Sequence, residues 1–257
     1  MEWLQSIFLG IVQGFTQFLP VSDSGHLSIL QYFMGIQESG LTFNAILIFA
    51  ALVSVIFCYH KDILHLIFHP FQKYMLLIIV SCIPGCLVGV FFGGFISQLF
   101  TSAWVPAIAL LFTAGLLFLA DNFRGNKLGK EIDIKTAIFI GIFQMFALIP
   151  GISRSGFTIF AALLFGMKRN EAAKFSFIMS IPIMLVALLL EVLGVFKETG
   201  TFTFEPLAVI SGVASMIAGI IAIKFVVKLL NNGKFRYFAI YCTIISIISI
   251  ILLSLGM

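Results

Sequence analysis

The sequence predicts an all-α integral membrane protein: six transmembrane helices plus two re-entrant helical hairpins, arranged as two inverted repeats. Three observations carry that reading. Of 257 residues 61% are hydrophobic and only 10% charged, against about 45–50% apolar and about 25% charged in a soluble domain. Two apolar stretches are broken in the middle by polar, Gly/Pro-containing segments. Thirteen of the fifteen Lys and Arg residues can be placed on one side of a membrane by one choice of topology. So apolar a chain has too little polar surface to face water, which excludes a soluble enzyme, a nucleic-acid binder and a disordered protein.

The elements follow in order. Crossing about 30 Å of hydrocarbon takes about 20 apolar residues. Such runs occur at 43–59, 75–96, 103–120, 172–193, 206–227 and 237–256. The two broken stretches are 3–34, interrupted by LPVSDSG at 19–25, and 136–166, interrupted by IPGISRSG at 149–156. Irregular backbone at membrane depth is tolerated only where protein buries it or a wet cavity lines it. The first stretch has no basic segment before it and runs into Gln13, Gln17 and Pro20, so no cleavable signal is expected. Cys58, Cys82, Cys86 and Cys242 all lie in apolar runs and are expected to pack as small apolar residues.

Charge sets the direction of the second broken stretch. If it enters and leaves on one face, the connections 60–74, 121–135, 167–174 and 224–236 share a side and hold thirteen basic residues, with Lys197 alone opposite. A single crossing would split the thirteen six against seven. The second stretch therefore reads as a hairpin opening to the cytoplasm. GIVQGFTQFLPVSDSG (10–25) aligns without a gap over GIFQMFALIPGISRSG (141–156), with seven identities in sixteen. Three spans follow each hairpin, so the second copy is inverted, with halves of approximately 1–125 and 126–257 in a single membrane domain 1–257. By that symmetry the first hairpin opens outward.

The alignment sets Asp23 against Arg154. Charges at membrane depth cost at least about 2.5–3.5 kcal/mol and point to function; a structural ion pair pinning the tips together is the alternative. Arg154 is flanked by Ser153, Ser155 and Thr158 and by Gly151 and Gly156. A guanidinium fork, hydroxyls and free backbone N–H groups at a helix start describe a phosphate cradle. Thr158 can also be explained by a bond back to a helix carbonyl. The first tip supplies Ser22, Asp23, Ser24 and His26, the last a possible general acid, base or nucleophile towards phosphorus. A membrane-embedded site for a phosphate-bearing lipid is what these residue types describe.

QGFTQFLPVSDSGH (13–26) resembles the first signature of the undecaprenyl-diphosphate phosphatases, the bacitracin-resistance family, and PGISRSGFT (150–158) is similar to the second. The likeness extends over essentially the whole chain. It implies cleavage of the terminal phosphate of undecaprenyl (polyprenyl) diphosphate, regenerating the carrier lipid for cell-wall synthesis. Gln13, His26, Ser153, Arg154 and Thr158 match the family pattern. Gln17 stands where the family usually has Glu, and Asp23 where it usually has Ser. Asn44 and Ile48 replace a usual acid and a polar residue.

The resemblance thus implies catalytic roles for His26 and Arg154 and substrate binding by Gln13, Ser153 and Thr158; from the tip residues themselves, Asp23 is expected to supply the missing catalytic carboxylate and Gln17, Ser22, Ser24 and Ser155 to bind substrate. A divalent cation, Mg²⁺ or Ca²⁺, is expected, with Asp23 as ligand in place of the family's Glu. Expected partners are a polyprenyl (di)phosphate lipid and a second copy of the chain in a homodimer, with no nucleic acid. The expected location is the bacterial cytoplasmic membrane, the catalytic hairpin opening to its outer face. A Gln cannot take a proton as Glu does. The alternative is therefore a paralogue that binds or translocates a polyprenyl phosphate without hydrolysing it.

Overall fold

The computed structural model describes residues 3–36, 40–202, 205–231 and 233–256. These residues form α1 (Trp3–Phe18), α2 (Asp23–Phe33), α3 (Leu41–Phe68), α4 (Lys73–Leu99), α5 (Trp104–Ala120), α6 (Ile134–Phe146), α7 (Arg154–Leu164), α8 (Arg169–Thr199), α9 (Pro206–Asn231) and α10 (Phe235–Ser254). The protein is all-α and multi-pass. Among the described residues, five helices are long and apolar enough to cross a membrane: α3, α4, α8, α9 and α10. The predicted span at 103–120 is the 17-residue α5, about 25 Å long at 1.5 Å per residue, short of a full hydrocarbon core. Its Ala107, Leu110, Ala114 and Leu117 are almost wholly buried, because α5 packs along α10 and against α7 and α2.

Each broken stretch is a pair of short helices that pack on each other, α1 with α2 and α6 with α7. Close approach explains where the pairs sit. Side chains at Gly10 and Gly14 would strike the backbone of Ser211 and Ser215 in α9, and one at Gly141 would strike Ser81 and Pro84 in α4. With no apolar driving force between helices in lipid, small residues let backbones meet and gain dispersion. Ser211 Oγ also donates to Ser6 O across the α1–α9 contact, at 2.7 Å. Large apolar side chains such as Phe91, Phe92 and Phe95 of α4 remain exposed, as a lipid-facing surface requires.

The four basic connections are bonded to one another. Lys174 pairs with Asp62 at 2.5 Å. Arg169 Nη2 donates to Asp121 O at 3.0 Å. The Asp121 carboxylate accepts from the backbone N–H groups of Phe235 (3.0 Å) and Arg236 (2.9 Å), the start of α10. Asp121 thus caps α10 while Arg169 caps the end of α5, so three loops close on one ion-rich point. The interior is aromatic at the hairpin end: Phe18, last residue of α1, meets Phe177 of α8 edge to face at 5.7 Å, which fixes where the first break begins.

Candidate functional site

The two breaks end in the same cap. Ser22 Oγ accepts from Gly25 N at 3.2 Å and Ser153 Oγ accepts from Gly156 N at 3.1 Å. Each hydroxyl also lies near that of the Ser two residues on, Ser24 at 3.3 Å and Ser155 at 3.4 Å. Ser-x-Ser-Gly is the local reason: the first Ser satisfies a free N–H of the opening turn, and Gly lets the backbone come close. The first helical residue is Asp23 in one copy and Arg154 in the other. Ser22 has φ 70°, and among the described residues no other non-Gly residue has positive φ. Such strain persists only where the surroundings enforce it.

The breaks meet each other. Ser155 Oγ donates to Leu19 O at 3.1 Å, and a side chain at Gly25 would come within 2.8 Å of Gly151 Cα. Gly151 turns at φ 96°, and a Cβ there would lie 2.5 Å from Pro106 O. Thr113 of α5 pins this turn: its hydroxyl donates to Gly151 O at 2.9 Å and accepts from Ser153 N at 3.0 Å. Thr158, fully buried, shares its hydroxyl between Arg154 O (2.8 Å) and Ser176 Oγ (2.7 Å). It braces the turn that carries Arg154.

Asp23 and Arg154 are joined through Gln17. A guanidinium only donates and a carboxylate only accepts, which orients the amide between them. Gln17 donates to Asp23 Oδ2 at 2.6 Å and accepts from Arg154 Nη2 at 3.1 Å. One turn back, the Gln13 amide lies 3.0 Å from that of Gln17 and is hydrogen-bonded by the Ser215 hydroxyl of α9. The structure therefore brings Gln13, Gln17, Asp23 and Arg154 into one polar chain. Gln17, Asp23, Ser24 and Arg154 are only half-buried, whereas Gln13, Ser22, Ser153, Ser155 and Thr158 are buried and already bonded.

His26 leaves that chain. One turn along α2 from Ser22, its Nδ1 lies 2.7 Å from Ser22 O, and its Nε2 lies 2.9 Å from the Tyr241 hydroxyl of α10. Tyr241 also lines an apolar groove of about 610 Å³ between α1, α9 and α10. Sequence reasoning missed Tyr241, Thr113, Ser176 and Ser215. Thr113 is a lone hydroxyl in an apolar run and Tyr241 one of two tyrosines a turn apart. Only long-range packing gives either a partner.

Two helix N-termini, one guanidinium and one half-buried hydroxyl lie close together where the breaks meet. The positive ends of two helix dipoles favour an anion there, and a guanidinium grips two oxygens of one phosphate at once. Among the described residues no group of three His, Cys, Asp or Glu could hold a metal alone. Asp23 offers one carboxylate, which suits a Mg²⁺ ion bound largely by phosphate oxygens rather than by an all-protein cage.

A model of the family described as bacitracin resistance protein BacA matches residues 6–248. The chain is 39% identical over 256 residues to the undecaprenyl-diphosphatase of Halothermothrix orenii, covering 98% of each. It is 36% identical over 259 residues to the undecaprenyl-diphosphatase of Carboxydothermus hydrogenoformans, covering 100% of this chain and 99% of the relative. The undecaprenyl-diphosphatase of Methanobrevibacter smithii is 37% identical over 272 residues, covering 96% of each.

Proposed function

The chain belongs to the bacitracin resistance protein BacA family, and from that premise we propose that it hydrolyses undecaprenyl diphosphate to the monophosphate carrier lipid. The observation that carries the reading is the tip geometry: Arg154 and two helix N-termini lie together where the breaks touch, with Asp23 held beside them by Gln17. Arg154 takes two oxygens of the diphosphate and the opening N–H groups of α7 take others. Water attacks the terminal phosphorus and the bridging P–O bond breaks. The proton of the attacking water passes to a base, and the lipid monophosphate leaves. His26 serves as that proton carrier. A divalent cation arriving with the diphosphate would be held by Asp23 and would neutralise developing charge.

The finer topology belongs to the same reading. The four mutually bonded basic connections support a second hairpin that opens to the cytoplasm. α1 packs on α9 as α6 packs on α4, and the two caps repeat at a fixed offset, which supports inverted halves of about 1–125 and 126–257 with α5 as a sixth, short span. The first hairpin then opens to the outer face of the bacterial cytoplasmic membrane. A homodimer through α4 is supported by Gly89 and Gly93, one turn apart, where a Cβ would meet nothing within 4 Å.

The test is release of phosphate from undecaprenyl diphosphate by the purified protein, with and without EDTA. Release in the cation-replete arm is expected. Binding of the lipid with no release would favour the carrier reading, to which the neutral amide of Gln17 lends support.

A further inference from the structure

The Ser22 carbonyl can only accept, so the His26 nitrogen 2.7 Å from it, Nδ1, carries the proton. In a neutral imidazole the other nitrogen is then a bare lone pair. That lone pair faces the Tyr241 hydroxyl at 2.9 Å, with the two rings parallel to within 2°. The phenol donates, the imidazole accepts, and the backbone carbonyl behind it completes the line. Hydroxyl, imidazole and acceptor in that order is the arrangement that fixes the tautomer of a working histidine.

Two further facts bear on it. His26 is 6% exposed, so neither nitrogen has bulk water as a substitute partner. Tyr241 comes from α10, distant in sequence, and its ring stands in the apolar groove beside Leu19 and Val21, residues of the first break. An unpaired imidazole at His26 would forfeit its hydrogen bond with nothing to replace it.

We propose that Tyr241 is the positioning residue for His26: by donating to Nε2 it holds the ring with Nδ1–H on the Ser22 carbonyl, so that Nε2 is the nitrogen whose lone pair can take a proton. The tautomer part stands on geometry alone; the part concerning turnover rests on the phosphatase reading above. Nε2 has a single lone pair, so the reacting water takes the place of the Tyr241 O–H on it before its proton crosses; once the hydroxide has gone to phosphorus, the rotated phenol accepts from the new N–H. The proton count is conserved and no further group is needed.

The test uses Tyr241→Phe in the full-length purified protein, with ¹⁵N-histidine NMR and steady-state kinetics on undecaprenyl diphosphate. The His26 resonance is identified by its loss in His26→Gln. Tyr237→Phe, one turn earlier on α10 and in the same groove, is the control. The wild type is expected to show a single Nδ1–H tautomer for His26. Tyr241→Phe is expected to give a mixture of tautomers, with kcat down about tenfold to a hundredfold and KM within about twofold. Tyr237→Phe is expected to match the wild type in both. An unchanged His26 tautomer in Tyr241→Phe overturns the proposal, as does an altered tautomer with unchanged kcat. A wild type that releases no phosphate overturns the phosphatase reading, while the spectrum still decides the tautomer assignment.

Discussion

Gln17 stands between Asp23 and Arg154, with its amide nitrogen 2.6 Å from the carboxylate and its oxygen 3.1 Å from the guanidinium. An amide satisfies both partners without adding charge. A carboxylate at position 17 would bring a second negative oxygen to hydrogen-bond distance of Asp23, and two carboxylates so close cannot both stay ionised cheaply. The Gln at 17 and the acid at 23 are therefore complementary. Acid at one position calls for a neutral partner at the other.

That complementarity predicts a coupled pair. Asp23→Ser alone should abolish most phosphate release, and Gln17→Glu alone should lower it. Gln17→Glu with Asp23→Ser should recover at least part, with about 1–3 kcal/mol of coupling in a double-mutant cycle on kcat/KM. Additive losses would show that the two side chains work independently.

Arg154→Lys should be nearly as damaging as Arg154→Ala for binding the lipid diphosphate. An ammonium cannot span two phosphate oxygens, nor reach both phosphate and the Gln17 oxygen from one rigid plane. Equilibrium binding of the lipid by both variants checks this. Retained affinity in the Lys variant would reduce Arg154 to a diffuse charge.

Thr113→Val should destabilise the protein by about 1–3 kcal/mol, since the hydroxyl is the bridge between Gly151 O and Ser153 N and Val leaves both unpaired. Thermal unfolding in detergent reads the loss. A Thr113→Ser variant, which keeps the bridge, should stay close to the wild type.

Single-cysteine labelling in whole cells checks the topology. With the four native cysteines replaced, a cysteine at Glu198 should react with an impermeant maleimide from outside. One at Lys130 should react only after permeabilisation. Reaction of both from the same side would contradict the placing of the basic connections in the cytoplasm.

Gly89→Leu with Gly93→Leu should leave the fold intact, because neither position has a neighbour to strike, yet should shift the protein from dimer to monomer in light scattering. An unchanged mass would move the subunit contact away from α4.

The sequence by itself determined the membrane class, the two broken stretches and the residues at their tips. Hydrophobic run length, Gly/Pro interruption and the one-sided basic residues are local properties of the chain, readable without coordinates. It also showed Asp23 against Arg154, because a repeat is visible as spacing. What it could not show was who touches whom. The sequence argument paired Asp23 with Arg154. The tertiary structure instead sets Gln17 between the two charges and turns His26 to Tyr241, a residue 215 positions away. In α5, 17 residues long, the apolar run was legible in the sequence, but its packing between α10 and α7 was not. Apolarity and length are written in one segment. Which buried polar group answers another is decided only when distant helices pack, because a hydrogen bond depends on a few tenths of an ångström that no linear pattern encodes.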